Sequence, residues 1–108
     1  MEITKPKVDH TPAELDEASR ILLRAAAILE EHGHCKGRAQ HGDSHCLSGA
    51  ITVASFEFGH WGLYHGHAAA MRRVVRFLDD PIRWNDAPER TKDEVVAKLR
   101  AVALAGTV

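Results

Sequence analysis

Two cysteines, two tryptophans, two methionines and a single tyrosine are all the chain holds of those types in 108 residues. Two cysteines are too few for the disulfide framework of a small secreted scaffold. No stretch approaches the roughly 18 consecutive apolar residues that a membrane-spanning helix needs. "MEITKPKVDH" has no apolar core after its start, so no signal peptide is expected. An excess of one charge is also missing: 14 Lys and Arg stand against 15 Asp and Glu, a formal net charge of −1. That balance argues against a nucleic-acid or anionic-membrane binder whose affinity comes from bulk charge. There is no internal repeat, low-complexity tract or long linker. Together these absences predict a cytoplasmic protein with reduced thiols, no membrane partner and no strong case for nucleic acid.

What is present is ordinary in bulk and unusual in one place. A content of 44% hydrophobic and 27% charged residues fits a globular chain, and the length suits one core rather than two. Histidine is the exception, with eight copies. Most are neutral near pH 7.5 and charged by about pH 5, so mild acidification makes the chain positive. Four of the histidines and both cysteines fall within "HGHCKGRAQHGDSHC", residues 32–46.

Residues 1–10 are polar and aperiodic and read as an N-terminal arm. Residues 11–108 read as one helical domain. In "TPAELDEASRILLRAAAILEEHG", Thr11 can cap a helix, with Pro12 at its first position and Glu14 completing a capping box. Leu15, Ala18, Leu22, Ala25 and Leu29 form an apolar stripe widened by Ile21 and Ile28, and Gly33 is a natural stop. "CLSGAITVASFEF" keeps helical spacing through Leu47, Ala50, Ile51, Ala54 and Phe58, with Ser44 or Asp43 as cap. The β-branched run Ile51-Thr52-Val53 makes a strand the competing reading, and helix is preferred. Gly49 then predicts a place where another helix approaches closely.

"GHWGLYHG" is expected to be a loop. "HAAAMRRVVRFLDD" predicts a third helix with Met71, Val74, Val75 and Leu78 inward and Arg72, Arg73 and Arg76 mainly outward, ended by Pro81. "PIRWNDAPER" reads as a turn-like segment. Thr91 and Glu94 repeat the capping-box pattern before a last helix that turns Val95, Leu99 and Val102 to one side. About four amphipathic helices predict an all-α domain, bundle-like or irregular.

The segments "GHCKG", "CLSGA" and "WNDAPERTKDEVVAKLR" together resemble an uncharacterised family of small bacterial and phage proteins. That family is marked by a Cys-x-x-Gly-Ala helix start and a Trp-Asn-Asp-x-Pro-x-Arg-Thr segment. The resemblance spans roughly residues 12–104 and implies a shared helical fold, with no activity, substrate or cofactor attached. The chain departs from the pattern at Glu89, where glycine is more usual, and in its histidine density between His32 and His67.

Three chemistries compete for the histidine-rich stretch. Zinc wants four nitrogen or sulfur ligands in a tetrahedron, which Cys35, His41, His45 and Cys46 would supply, with His32 and His34 as substitutes. Their spacing is irregular and includes no Cys-x-x-Cys pair, so a solvated connector is preferred and no cofactor is called for. In a second reading, Cys46 opens a helix whose dipole favours a thiolate. His65, His60 or His67 would then be the base and Asp86 or Asn85 the orienting group, in the chain order of papain-like hydrolases. Eight histidines make such an order easy to meet by accident, and a small buried cysteine explains Cys46 as well. In the third, Cys35 and Cys46 form a disulfide in an oxidising setting, absent or regulatory in a reducing one.

Outside that stretch, Trp84 is expected to plug the bundle end while Asp86 bonds backbone amides. The functional alternative makes Trp84, Asn85, Asp86 and Arg90 one wall of a polar pocket, faced by the histidine loop or by "HWGLYHGH". Trp61, Leu63 and Tyr64 suit either a lid over the core or a contact with a protein partner or second copy. Arg72, Arg73, Arg76 and Arg83 could face phosphates, but Asp79 and Asp80 lie beside them and no helix-turn-helix signature accompanies them. The reading that follows is a small helical module that binds a protein or small ligand through its His/Gly loops. The alternative is a zinc-binding or cysteine-dependent small enzyme.

Overall fold

The computed structural model describes residues 16–58 and 65–105. Over them the chain forms α1 (Glu17–His32), β1 (Gln40–His41), β2 (Ser44–His45), α2 (Leu47–Glu57), α3 (His65–Leu78), α4 (Pro81–Asp86) and α5 (Lys92–Ala105). The fold is mostly helical, as the periodicity implies, with one very small antiparallel ladder added.

The first helix is the centre of the packing, touching α5, α2 and α3. Its apolar residues make more than a stripe: Ala18, Ile21, Leu22, Ala25, Ala26, Ile28 and Leu29 are all buried. A surface helix has one apolar face, whereas this one is covered from several sides. Leu47, Ala50, Ile51 and Ala54 of α2, Ala70 and Val74 of α3, and Val95, Val96, Leu99, Val102 and Ala103 of α5 complete a single core. Each fully buried Leu, Ile or Val contributes about 1.5–3 kcal/mol. The β-branched run in α2 stays helical because Ile51 and Ala54 then share the buried face with Leu47 and Ala50. Thr52 Oγ1 also finds an acceptor within the helix, the carbonyl of Ser48 at 3.0 Å.

Several expectations change. Asp16, rather than Thr11, caps α1, its carboxylate accepting from Ser19 N–H at 2.8 Å. Thr11, Pro12, Glu14 and Leu15 lie outside the described residues, as do residues 59–64 with Trp61, Leu63 and Tyr64. Neither Ser44 nor Asp43 caps α2; Cys46 does, its Sγ accepting from Gly49 N–H at 3.3 Å. Val75 is 45% exposed, because Val74 takes the inward position and adjacent helical residues diverge by about 100°. Arg73 does not point to solvent: it donates to Ser19 Oγ at 2.6 Å and to Asp16 Oδ2 at 2.7 Å. Ser19 Oγ in turn donates to the carbonyl of Ala103 at 2.7 Å, so one polar chain joins α3, α1 and α5.

"PIRWNDAPER" also contains a helix. Asp79 takes a left-handed conformation, with φ of 69°, that closes α3. Asp80 Oδ1 then accepts from Arg83 N–H at 3.1 Å, and Pro81 occupies the first turn of α4. Thr91 and Glu94 form the expected reciprocal capping box at the start of α5, at 3.0 and 3.2 Å.

The connector between α1 and α2 is ordered by backbone pairing. Gly33 ends α1 with φ of 100°. The β1–β2 hairpin pairs Gln40 with His45 and His41 with Ser44, and a parallel bridge pairs His34 with His45. The close approach at Gly49 comes from this connector and not from a helix: a Cβ there would lie 2.2 Å from the carbonyl oxygen of Ala39.

Gly49→Ala is therefore expected to cost about 3 kcal/mol in urea unfolding, since backbone must move. Gly42→Ala meets nothing within 4 Å and should cost about 1 kcal/mol, for its left-handed backbone alone. A second expectation concerns acid. The Arg73 guanidinium holds the Asp16 carboxyl down at about 2, against 3.8 ordinarily, with Ser19 N–H assisting and partial burial opposing. A lowered folded-state value means stability that is present above about pH 4 and lost as pH falls towards 2. The stability difference between the native protein and Asp16→Asn should shrink over that window and be flat above it.

Candidate functional site

Asn85 carries the site. Its side chain is 1% exposed, and all of its polar valences in reach are used. Oδ1 accepts from Leu47 N–H at 2.9 Å and from His34 Nε2 at 2.8 Å. Nδ2 donates to the carbonyl of Cys35 at 3.2 Å and to Asp86 Oδ1 at 2.9 Å. The carboxamide orientation follows from chemistry, because Leu47 N–H can only donate and the Cys35 carbonyl can only accept. His34 must then carry its proton on Nε2.

Neighbouring contacts extend this staple. Asp86 Oδ1 accepts from Gly37 N–H at 3.0 Å, and that bond, with the Asn85 amide second, holds the carboxyl below its usual range. Lys36 Nζ donates to the carbonyls of Ala87 at 2.7 Å and Pro88 at 3.1 Å. Residues 34–37 are thus fastened to α4 and to the chain just after it.

This fastening leaves a cavity of about 280 Å³ with three walls. Loop residues Gly37, Arg38 and Ala39 form the first, Cys46 and Ser48 at the start of α2 the second, and Pro81, Ile82, Asn85 and Asp86 of α4 the third. Cys46 Sγ lies 3.3 Å from Ser48 Oγ. Ile82 is 62% exposed, an apolar side chain at a polar mouth. The arrangement offers a cation, a carboxylate, a hydroxyl and a thiol beside an aliphatic edge. It suits a small polar ligand with an apolar side.

The structure separates the sequence-derived candidates. Asp86 lines the cavity and bonds a backbone amide, as the structural reading of that residue anticipates. Asn85 lines it too, but its side chain is committed to four internal bonds and acts as scaffold. Trp84 is partly buried against the core. With Arg90, Glu94 and Lys98 it borders a different cavity, of about 440 Å³, against α5. Arg90 lies 4.0 Å above the Trp84 ring and donates from Nε to the Trp84 carbonyl at 2.9 Å. The single polar pocket that the functional alternative makes of Trp84, Asn85, Asp86 and Arg90 is therefore divided between two cavities.

Among the described residues, no three His, Cys, Asp or Glu side chains form a group able to hold a metal. Of the zinc set, His41 is exposed on β1 and His45 is buried on β2, where its ring meets His32 edge-on at 6.4 Å. Cys35 and Cys46 are both free thiols. The polar neighbours of Cys46 Sγ among the described residues are Gly49 N–H and Ser48 Oγ. His67 instead meets Thr52 Oγ1 at 3.2 Å, and burial pushes its pKa down. His65 stands in the first turn of α3, its side chain outside the described ones, and Trp61 and Tyr64 lie outside the described residues altogether.

Ser48, Pro81 and Ile82 escaped the sequence reading. The Asp80-Pro81 pair was the available signal, being a cap followed by a first-turn proline. A helix begun there puts Pro81 and Asn85 on one face and Ile82 and Asp86 on the next.

A small, mostly helical domain with a loop-walled polar cavity is the class of protein that this geometry defines. The chain belongs to a family of unknown function, DUF6197, whose model matches residues 13–105. Comparison with curated proteins and with solved structures gave no match.

Asn85→Ala leaves the buried Leu47 N–H and the Cys35 carbonyl without partners. It is expected to cost about 3 kcal/mol in chemical denaturation. Asp86→Ala should cost less, about 1–2 kcal/mol, because Gly37 N–H is exposed enough to turn to water while one Asn85 Nδ2 hydrogen loses its acceptor.

Proposed function

We propose that this domain is a small-ligand-binding module and that the cavity between the 37–39 loop, the start of α2 and α4 is its binding site. One observation carries the reading: Asn85, a fully buried carboxamide, joins three separate chain segments beside the cavity that it lines. A staple of that kind keeps the walls fixed before any ligand arrives, which reduces the ordering cost of binding. The cavity offers hydrogen-bonding groups on all three walls, and Pro81 with Ile82 adds an aliphatic edge to the third. Its ligand is a small molecule with a polar head and an aliphatic edge.

The cysteine-dependent enzyme reading draws on the same cavity, since Cys46 both lines it and caps α2. Its support is weaker, because no imidazole stands among the described polar neighbours of Cys46.

Ligand-observed NMR with a set of polar-headed aliphatic fragments, followed by amide-shift mapping, tests the binding site. Fragments that bind should move the amides of Arg38, Ser48 and Asp86. Ile82→Asp, at an exposed position that the core does not use, should weaken them about tenfold through lost apolar contact. Fragments that shift only other surfaces, or an unchanged affinity in Ile82→Asp, would remove the proposal.

A further inference from the structure

The hydrogen-bond register between the two cysteine-bearing segments has a chemical consequence. His45 N–H donates to the carbonyl of Gly33 at 3.0 Å, and Cys35 N–H donates to the carbonyl of His45 at 2.9 Å. These two bonds place His34 opposite His45 in a parallel pair. One step further along both segments, Cys35 comes opposite Cys46, on the face away from the two histidines. Cys46 is itself extended, with φ −85° and ψ 177°, so its segment keeps its direction to that point. Neighbouring strands run about 4.8 Å apart, inside the range of about 4.4–6.8 Å between Cα atoms that a disulfide spans.

The surrounding bonds hold this juxtaposition. Asn85 grips the carbonyl of Cys35 with Nδ2 and the N–H of Leu47, next to Cys46, with Oδ1. Cys46 N–H is fixed on the carbonyl of Ala39 at 3.0 Å. The thiols, by contrast, make only weak contacts. Cys35 Sγ faces the carbonyls of Arg38 at 3.4 Å and Ser44 at 3.8 Å, and Cys46 Sγ has Ser48 and Gly49. The backbones are held while the sulfurs can turn.

We propose that Cys35 and Cys46 are a redox-modification site, a dithiol that a small-molecule disulfide converts to an intramolecular disulfide. The half-exposed Cys35 attacks first as its thiolate, bonding to one sulfur of the reagent and expelling the other as a thiolate. Cys46, deprotonated in turn, attacks Cys35 Sγ and expels the second reagent sulfur. The protein loses two protons and two electrons. The reagent gains both electrons and leaves as two thiols. Reduction by excess small thiol reverses each step. Because the second step is intramolecular between backbone-held neighbours, the mixed disulfide does not accumulate.

Burial raises the Cys35 pKa, and the nearby Cys46 adds to that rise. The first step therefore quickens as pH climbs through the alkaline range. Oxidation also turns Cys46 Sγ away from Gly49 N–H, which uncaps the first turn of α2 and alters one wall of the cavity. The inference stands whether or not a ligand occupies that cavity.

The test is to equilibrate the reduced native protein in glutathione buffers of increasing oxidised fraction, quench with acid and weigh it. The expected product is a monomer lighter by two hydrogens, with no glutathione adduct. Iodoacetamide labelling should fall from both cysteines to neither and recover with dithiothreitol, and the Gly49 and Ser48 amides should shift on oxidation. Cys46→Ser should instead accumulate one glutathione on Cys35. The proposal is overturned by a lasting glutathione adduct on the native protein, by a disulfide-linked dimer, or by thiols that stay labelled in excess glutathione disulfide. An adduct-free Cys46→Ser overturns Cys35 as the attacking thiol.

Discussion

One carboxamide holds the loop after α1, the start of α2 and α4 together. Asn85 is buried, and each of its four bonds reaches a different group: two backbone atoms, one imidazole and one carboxylate. A buried amide in an apolar site is costly unless it is paired, and a fully paired one is highly specific about geometry. The loop after α1, the start of α2 and α4 can adopt only the arrangement that satisfies all four bonds together. The cavity is what remains between those segments once the bonds are made. Its shape is therefore a consequence of hydrogen-bond accounting, while the apolar core sets only where the three segments begin.

A second polar chain does comparable work at the other end of α1. Ser19 is fully buried, donates to the Ala103 carbonyl and receives Arg73, which also grips Asp16. Two different kinds of stability result. The Asp16–Arg73 contact depends on a carboxylate and is lost in acid. Asn85 does not titrate, so its bonds to Leu47 N–H and the Cys35 carbonyl persist where the ion pair fails, and only the Asp86 carboxylate beside it is acid-sensitive.

The helical core was legible in the sequence because it rests on local periodicity. Ile21, Leu22, Leu29, Leu47, Ile51, Val95 and Leu99 repeat at helical spacing, and burial follows from that spacing alone. The Thr91 box was legible for the same reason, being complete within four residues. The site was not. Asn85 in "RWNDAPER" has the composition of a turn former, and nothing local distinguishes a carboxamide facing water from one gripping Cys35 and Leu47. Both partners are far away in sequence, and such contacts leave no periodic trace. The cap of α2 misled in a related way: Ser44 and Asp43 are better capping types, yet Ser44 is paired in the hairpin and Asp43 lies in its turn, so the cap passes to Cys46. Arg73 read as solvent-facing because its partners, Asp16 and Ser19, lie on another helix.

The histidine density of residues 32–46 is the feature whose meaning changes most. Metal coordination would order such a loop from side chains, by drawing several of them to one point. Here order comes from bonds made to the loop's main chain. Gly33 and Cys35 pair with His45, Ala39 pairs with Cys46, and Gly37 and Cys35 are fixed by Asp86 and Asn85. Side chains freed from that duty can differ in fate. His41 faces solvent, His45 is packed against His32, and His34 spends one nitrogen on Asn85. The same backbone register that pairs His34 with His45 brings the main chain of Cys35 opposite that of Cys46. Which side chains meet at this end of the molecule therefore follows from the register of the main chain, which faces the two cysteine positions toward each other and sends the imidazoles to different partners.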